Sequence, residues 1–189
     1  LLNGKVPYKI AALGLGRTFQ NIRLFKDLSV LDNVLIAFGN HHKAHVLASF
    51  LRLPAYYKNE EELKAKALEL LKIFDLDKEA ETLAKNLAYG QQRRLEIVRA
   101  LATEPKILFL DEPAAGMNPQ ETAELTALIR RIKNEFNITI MLIEHDMSLV
   151  MEVTERIYVL EYGRLIAHGT PDEIKNDKRV IEAYLGGEA

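Results

Sequence analysis

The 189-residue sequence contains no cysteine, which excludes a disulfide framework, a zinc site with thiolate ligands and a cysteine nucleophile. It also lacks an excess of charge of either sign, because 25 lysines and arginines stand against 27 aspartates and glutamates, a formal net charge of -2. A dedicated nucleic-acid surface usually shows as a basic excess, so we expect none. No apolar run approaches the ~18 residues that span a bilayer, and the first residues lack the features of a signal peptide. We therefore expect a soluble protein from a reducing compartment.

The composition is otherwise that of a folded globular protein, with 48% hydrophobic and 28% charged residues. A chain of this size fits one domain and buries about 70% of its unfolded surface without a disulfide or a metal. The sequence has no initiator methionine, and residues 1–10 are typical of the end of an upstream element. We therefore expect a fragment whose N-terminal part is missing.

The chain has two halves of different character. Residues 29–102 carry almost only helical periodicity. From Lys106 onward, short apolar runs alternate with helical stretches, which is typical of βαβ units and a parallel sheet. We predict strands at 106–110 and 138–143, and the second is apolar on both faces, which favours a strand covered by helices on both sides. Residues 156–160 and 164–167 then predict a hairpin.

Capping patterns predict where several helices begin. Asn59 precedes Glu62 by three positions, which is the spacing of a capping box and predicts a helix start. Asn118 and Thr170 are each followed by a proline and then by a glutamate at the third helical position, which predicts two more helix starts. The helix predicted to start at Asn59 should bury one apolar face, which consists of Leu63, Ala67, Leu70 and Phe74.

Two acidic clusters follow the two predicted strands. Asp111 and Glu112 come directly after the first strand, and Glu144, His145 and Asp146 come after the second. In open α/β sheets, ligands bind outside the carboxyl ends of the strands. Four apolar residues followed by Asp-Glu resemble a Walker B segment, in which the Asp holds a hydrated Mg²⁺ and the Glu deprotonates an attacking water. Taken alone, the Asp-Glu pair fits a polar strand end equally well.

A second motif lies upstream of this pair. Residues 87–94 read Leu-Ala-Tyr-Gly-Gln-Gln-Arg-Arg and precede an apolar-periodic helix, after which the Walker B segment follows within a few residues. The motif resembles the signature of ATP-binding cassette (ABC) ATPases, which sets a helix N-terminus against the γ-phosphate of a nucleotide held by the partner subunit. Gly90 alone would fit an ordinary loop before a helix, but the order and spacing of the three features favour the ABC family.

Further segments carry the same resemblance, which covers essentially the whole chain. Residues 17–20 (Arg-Thr-Phe-Gln) resemble the Q-loop, residues 114–119 the D-loop and residues 143–146 the switch segment. Within the family, the chain is most similar to the LivG-like ATP-binding subunits of branched-chain amino acid importers. The segments that carry this closer similarity are residues 17–25, 88–96, 112–119 and 183–186.

The resemblance implies an α/β fold of the P-loop NTPase type, with a parallel sheet core, an inserted helical subdomain and a missing N-terminal part. Residues 1–28 would form the end of the N-terminal part with the Q-loop. Residues 29–102 would form the helical subdomain, which ends in the signature motif. Residues 103–189 would form the α/β catalytic core with the Walker B, D-loop and switch segments and a C-terminal hairpin with helices.

The resemblance also implies ATP and Mg²⁺ as cofactors and a role for each motif residue. Asp111 and Gln20 would bind the Mg²⁺. Glu112 would act as the catalytic base, and His145 would contact the γ-phosphate. Asn118 would lie at the seam of an ATPase dimer, beside its role as a helix cap. The residues that would face the nucleotide of the partner subunit are Ala88, Tyr89, Gly90 and Gln91.

Two departures from the family pattern change what we expect of this chain. No G-x-x-x-x-G-K-[ST] run occurs, although in the family this P-loop cradles the phosphates. In the family it lies upstream of the Q-loop, so the chain alone is expected to bind ATP poorly and to be inactive. Ala88 and Tyr89 also replace the usual Ser-Gly pair, and the lost hydroxyl should weaken the trans contact by about 1.5–3 kcal/mol.

The function that the resemblance implies is that of an ATPase subunit that powers branched-chain amino acid import. Its partners would be transmembrane permease subunits, a second ATPase subunit in a homo- or heterodimer, and indirectly a periplasmic or extracellular substrate-binding protein, with no nucleic acid. It would lie peripherally on the cytoplasmic face of the membrane. Two alternatives stay open: an ABC ATPase of another transporter, such as one for lipopolysaccharide export, and, for this chain, a non-hydrolysing interaction fragment.

One histidine pair outside these motifs invites a metal-site interpretation. His41 and His45 are four residues apart, a spacing that would place both on one face of a helix. Because no further ligand is placed to complete a site, a solvated stretch of the helical subdomain is favoured.

Overall fold

The computed structural model describes residues 2–38 and 54–185. The pair His41 and His45, and Gly186 at the end of the segment 183–186, lie outside the described residues. The chain divides into two compact units, residues 1–143 and 144–189.

The first unit combines a parallel sheet with helices, as the alternating pattern predicts. Two short 3₁₀ turns, Asp77–Glu79 and Ala84–Asn86, separate its third and fourth helices. The helices and strands are α1 (Pro7–Ala12), β1 (Leu15–Arg17), α2 (Val30–Phe38), α3 (Pro54–Ile73), α4 (Tyr89–Leu101), β2 (Ile107–Asp111), α5 (Pro119–Phe136) and β3 (Thr139–Ile143).

The sheet has the strand order β1-β2-β3, and both pairs are parallel. Arg17 is in register with Phe109, and Asp111 is in register with Ile143. Leu108 and Leu110 in the central strand are fully buried, because alternate residues of a strand point to the same face. The parallel core is therefore confirmed, and the ends of its three strands meet at one edge.

The prediction that β3 is covered on both faces is wrong for the part of the chain that the structure describes. Met141 and Ile143 are 53% and 52% exposed. Their side chains share one face of the strand, and about half of the surface of each residue stays exposed. An apolar run therefore predicted the strand correctly, but the burial of its second face depends on which segment packs there.

The helical stretch begins with a cap that holds α2 in place. Ser29 Oγ accepts a hydrogen bond from the backbone N–H of Asp32 at 3.0 Å. The helix start predicted at Asn59 is wrong, because α3 already begins at Pro54 and Asn59 lies inside it. Proline fits the first turn of a helix, where its missing N–H has no partner to lose. The predicted apolar face of α3 is largely confirmed, since Ala67, Leu70 and Phe74 are buried and Leu63 is half-buried.

The second unit is built on the predicted hairpin. Strands β4 (Ile157–Glu161) and β5 (Arg164–Gly169) pair antiparallel, and the turn between them has positive φ at both central residues, as a tight hairpin requires. Helices α6 (Met147–Val153), α7 (Pro171–Lys175) and α8 (Lys178–Leu185) complete the unit. One cluster of its buried residues consists of Val150, Ile157, Val159, Ala167, Ile174 and Val180.

The capping prediction at Thr170 is confirmed: its Oγ1 accepts from Glu173 N at 3.4 Å, and Glu173 Oε2 accepts from Thr170 N at 2.8 Å. Across residues 2–38 and 54–185, none of the helices combines the length and the apolar character that a bilayer crossing requires.

Candidate functional site

The candidate site lies at the carboxyl end of β2, where the chain that leaves β1 runs beside it. Thr18 N donates a hydrogen bond to Phe109 O at 2.9 Å, which continues the parallel pairing by one residue beyond β1. The segment that follows, residues 18–20, therefore passes the end of β2, where Asp111 and Glu112 lie. The parallel register thus brings two motifs together that are about 90 residues apart in sequence.

Gln20 and Glu112 are in direct contact. The side-chain Nε2 of Gln20 donates a hydrogen bond to Oε2 of Glu112 at 2.7 Å. Glu112 N donates to Ile143 O at 2.9 Å, so the third strand also fixes this residue. The φ of Glu112 is +44°, in the left-handed region that L-residues rarely adopt. Backbone strain of this kind costs about 1–3 kcal/mol and is concentrated at functional sites.

Asp111 is paired with an arginine to which the sequence analysis gave no role. Nη2 of Arg17 lies 3.0 Å from Oδ2 of Asp111, and the two side chains are 59% and 23% exposed. The residues are 94 positions apart, so no local pattern signals their contact. The signal that the sequence does offer is indirect, since Arg17 ends a strand that could lie beside β2. Arg17 competes with any cation for that oxygen.

The residues present fit a magnesium ion that is bound together with a nucleotide. Mg²⁺ is usually held by one or two carboxylates together with water and substrate phosphates, rather than by a cage of protein ligands. Asp111 supplies such a carboxylate, and the amide oxygen of Gln20 is a ligand of the same hard type. Among the described residues there is no group of three or more His, Cys, Asp or Glu side chains able to hold a metal alone. The donor set therefore suits a site in which the protein and a bound nucleotide both supply ligands to the metal.

The signature residues lie at the N-terminus of α4. Gln91 Oε1 accepts a hydrogen bond from Ala88 N at 3.1 Å, which is one half of a capping box. Ala88 has no side-chain oxygen to supply the other half. Gly90 is buried, and a Cβ at this position would lie only 2.9 Å from Oε1 of Glu121 in α5. The absence of a side chain at Gly90 lets the two helix N-termini approach each other.

Tyr89, the first residue of α4, binds the D-loop of its own chain. Its hydroxyl donates a hydrogen bond to Ala115 O at 3.0 Å, and its ring is 46% exposed. The ring packs against Gly116, where a Cβ would lie 3.4 Å from Cε1 of Tyr89 and where φ is +78°. The sequence analysis assigned Tyr89 only to contacts with a partner subunit and did not predict this contact.

Asn118 caps α5 as predicted. Its Oδ1 accepts from Glu121 N at 2.9 Å, and Glu121 Oε2 accepts from Asn118 N at 2.9 Å. Asn118 is exposed. Its role at a dimer seam stays a prediction.

His145 belongs to the second unit, and its side chain is exposed. Its neighbour Asp146 caps α6, since Oδ1 accepts from Ser148 N at 3.0 Å and from Leu149 N at 3.3 Å. The hydrogen bond from the Ser148 hydroxyl, followed by these backbone bonds, holds the pKa of Asp146 below its ordinary value, although burial acts in the opposite direction. The contact of His145 with a γ-phosphate stays a prediction.

An ion pair that the sequence analysis missed lies beneath the Q-loop. Arg93 in α4 is fully buried, and its Nη1 lies 3.0 Å from Oε2 of Glu96. Arg93 also donates to Phe19 O and to Gln20 O, at 2.7 Å each. Two oppositely charged residues three positions apart in α4 were the available signal, because charges that become buried require partners.

Comparisons with known families show what the chain is similar to. The sequence model of the ABC transporter family matches residues 6–115, and that of the branched-chain amino acid ATP-binding cassette transporter family matches residues 164–189.

Two curated relatives illustrate the similarity in sequence. The high-affinity branched-chain amino acid transport ATP-binding protein LivG of Salmonella typhimurium is 48% identical over 185 residues, which are 98% of this chain and 72% of that protein. BraF of Pseudomonas aeruginosa, which carries the same description, is 46% identical over the same shares of the two chains.

Solved structures show the same fold. An ATP-binding cassette of an ABC transporter superposes with a TM-score of 0.79 at 33% identity, covering 98% of this chain and 74% of that one. A nucleotide-free ATP-binding cassette superposes with a TM-score of 0.74 at 32% identity, covering 96% and 72%. The fold and the order of motifs are thus those of a known family of cassettes.

Proposed function

Because this chain belongs to the ABC transporter family of ATP-binding proteins, we propose that it is the ATP-hydrolysing subunit of a branched-chain amino acid importer. The observation that carries the proposal is the contact between Gln20 Nε2 and Glu112 Oε2, 2.7 Å apart, beside Asp111 at the end of β2. Similarity to LivG and BraF supports the choice of solute class. The C-terminal match to the branched-chain amino acid transporter family supports it independently.

Each site residue has its own role in hydrolysis. The Glu112 carboxylate accepts the proton of an attacking water, and Gln20 orients the carboxylate and the water. The Asp111 carboxylate and the Gln20 amide oxygen would hold Mg²⁺. Bound ATP with Mg²⁺ supplies the electrophilic phosphorus and the positive charge that offsets negative charge in the transition state. The hydrogen bonds of Glu112 with Gln20 Nε2 and Ile143 O position the base before the nucleotide arrives.

Other residues act across a dimer of two ATPase subunits. The N-terminus of α4, with Ala88, Tyr89, Gly90 and Gln91, presents backbone N–H groups to the nucleotide of the partner subunit, because helix N-termini favour anions. Asn118 lies at the seam. In contrast to these residues, His145 contacts the γ-phosphate of the nucleotide bound by its own subunit. The 189 residues of this chain contain no G-x-x-x-x-G-K-[ST] run, the sequence of a P-loop. They therefore supply the metal-binding, water-orienting and trans-facing groups rather than the phosphate cradle.

The partners follow from the same proposal. ATP binding closes the dimer, and hydrolysis opens it. The movement passes through the Q-loop region to transmembrane permease subunits, which receive their solute from a substrate-binding protein outside the membrane. The subunit itself lies on the cytoplasmic face of the membrane.

A transport assay tests this function. The complete product of the gene that encodes this chain would be reconstituted in vesicles with its permease subunits and its partner ATPase subunit. Uptake of labelled leucine would be followed with ATP inside and the substrate-binding protein outside. Uptake that needs ATP and is lost in Glu112→Gln, but not in the exposed-site control Glu135→Gln, is the expected result. ATP-dependent export of lipid, or hydrolysis that leucine transport never accompanies, would contradict the assignment to branched-chain amino acid import. Binding to the permease without any hydrolysis would favour a non-hydrolysing interaction module instead.

A further inference from the structure

A continuous path of hydrogen bonds joins the Q-loop, the signature helix and the D-loop within this one chain. Arg93 Nη2 donates to Gln20 O at 2.7 Å and to the hydroxyl of Tyr89 at 3.3 Å. The same hydroxyl donates onward to Ala115 O at 3.0 Å. The path therefore begins at the backbone carbonyl of Gln20, whose side chain contacts Glu112. It ends in the loop that leads to Asn118.

The first half of the path is rigid because it is buried. Arg93 is fully buried, and Glu96 Oε1 accepts hydrogen bonds from Phe19 N at 3.4 Å and from Arg23 N at 3.3 Å. Arg93 therefore binds backbone carbonyl groups of the Q-loop, and Glu96 binds backbone amide groups within it and just after it. The Nε of Arg93 has no hydrogen-bond partner among the described residues.

Stability alone does not explain this arrangement. A buried ion pair is often no more stabilising than apolar side chains of similar volume, and an unpaired buried donor adds a further cost. What the pair does supply is geometry. The planar guanidinium fixes two carbonyl groups and one hydroxyl at set directions, which an ammonium group on a flexible stem cannot do.

The second half of the path depends on one oxygen atom. A tyrosine hydroxyl can accept one hydrogen bond and donate another, so Tyr89 can join Arg93 to Ala115 while a phenylalanine cannot. Its ring also fills the space beside Gly116, where φ is +78°. In the related signature pattern this position carries glycine, which has no atom that could make the connection.

We propose that Tyr89 and Arg93 are positioning residues that tie the position of Gln20 in the chain's own site to the position of residues 115–118, which face the partner subunit. A shift of the Gln20 backbone is transmitted to the D-loop through two side chains, without passing through the dimer interface. The inference rests on the proposed function, since that function gives Gln20 and Asn118 their roles in hydrolysis and at the seam.

Amide hydrogen exchange in the complete gene product tests the path. Tyr89→Phe keeps the ring and removes the hydroxyl. We expect exchange at Ala115 and Met117, whose N–H groups bond within the loop, to speed up by about threefold to tenfold, the range that one net hydrogen bond represents. Exchange at Phe19 and Arg23 should rise as well, because Arg93 loses one of its partners.

Two further variants make the exchange test specific. Tyr8→Phe changes a tyrosine that is 70% exposed and far along the chain, and it should leave all four amides unchanged. Arg93→Lys should loosen the Q-loop amides and also speed exchange at Met117. Faster exchange confined to the Q-loop in Arg93→Lys, or unchanged exchange at Ala115 and Met117 in Tyr89→Phe, would overturn the proposal.

Kinetics separate this inference from the proposed function. In the complete gene product, Tyr89→Phe should lower kcat by about threefold to tenfold with KM for ATP unchanged, because the groups that bind ATP in the same subunit are intact. A change in KM alone would contradict a positioning role. If the unaltered protein hydrolyses no ATP, the proposed function fails, and the exchange result still decides whether the path exists.

Discussion

The side-chain nitrogen of Gln20 lies 2.7 Å from a carboxylate oxygen of Glu112, although 92 residues separate the two along the chain. The parallel pairing of β1 with β2 creates this contact, because it brings the ends of both strands to the same edge of the sheet. The direct hydrogen bond fixes the Glu112 carboxylate, whose other oxygen can then accept a hydrogen bond from a water molecule. The relationship between these two residues underlies most of the predictions below.

Removal of the Gln20 amide should impair chemistry more than binding. In the complete gene product, Gln20→Ala should lower kcat by about a hundredfold, the usual cost of misplacing a reacting group by 1 Å. The dissociation constant for ATP should change by less than about tenfold. Steady-state turnover and equilibrium ATP binding measure the two effects. Gln120→Ala, which alters an exposed glutamine bonded to Glu124, is the control, and a Gln20→Ala enzyme with nearly normal kcat would refute the assignment.

Removal of the Arg17 side chain should make the protein more sensitive to magnesium. Arg17 neutralises Asp111 at 3.0 Å, so Arg17→Ala leaves the carboxylate to the metal. The Mg²⁺ concentration for half-maximal turnover should fall by up to about fivefold, since an exposed ion pair contributes about 0–1 kcal/mol. Lys85→Met removes a comparable surface ion pair with Asp27 and should change nothing. A higher Mg²⁺ requirement in Arg17→Ala would show that Arg17 supports metal binding instead.

The charges of the buried pair Arg93–Glu96 should be energetically coupled. Arg93→Met and Glu96→Leu each leave one buried charge without its ion-pair partner, so each should reduce the free energy of unfolding by about 3–5 kcal/mol. The double variant removes both charges but also the backbone hydrogen bonds that the pair makes, so it should lose less than the sum of the two single variants. Equilibrium unfolding in urea gives the three values. Strictly additive effects of the two substitutions would mean that the ion pair is not coupled.

The cap at Asp146 should stabilise the second unit in a pH-dependent way. Asp146→Ala should lower the free energy of unfolding by about 0.5–2 kcal/mol at neutral pH, as the loss of an N-cap does. The hydrogen bond from the Ser148 hydroxyl is the largest of the effects that lower the pKa of the Asp146 carboxyl in the folded state below its ordinary value of 3.8. The stabilisation is therefore complete above that ordinary value and disappears as pH falls through the lower folded-state pKa.

Unfolding followed between neutral pH and about pH 2 checks this cap. The curves of the unaltered protein and of Asp146→Ala should converge in acid, while Asp172→Asn, an exposed carboxylate in α7, should leave the pH dependence unchanged. A gap between the first two curves that persists below the folded-state pKa would mean that the carboxylate charge contributes nothing.

Local sequence patterns predicted the features whose causes are local. Two short apolar runs, rich in strand-forming residues, predicted β2 and β3, because runs of this length bounded by polar residues favour strands over helices. The caps at Asn118 and Thr170 were predicted because a capping box lies within four residues. The same pattern at Asn59 was misleading, since a polar residue three positions before a glutamate also occurs inside exposed helices.

The features with distant causes could not be predicted from the sequence. The pairing of Arg17 with Asp111 spans 94 residues, and it depends on which strands become neighbours. Arg93 carries a charge, which favours the surface, and only the fold shows that Phe19, Gln20 and Glu96 surround it. The exposed face of β3 depends in the same way on which segment covers it.

The central claim is that Glu112 is the catalytic base. The most direct measurement compares ATP turnover with equilibrium ATP binding for Glu112→Gln in the complete gene product, with Glu135→Gln as the control. Glutamine keeps the size of the side chain and an oxygen that can accept the hydrogen bond from Gln20, but it cannot take up a proton from water. We predict that turnover falls by about 10²-fold to 10⁴-fold while ATP binding stays within about threefold of normal, the effect of less than one hydrogen bond. Turnover at a nearly normal rate in Glu112→Gln would contradict the account.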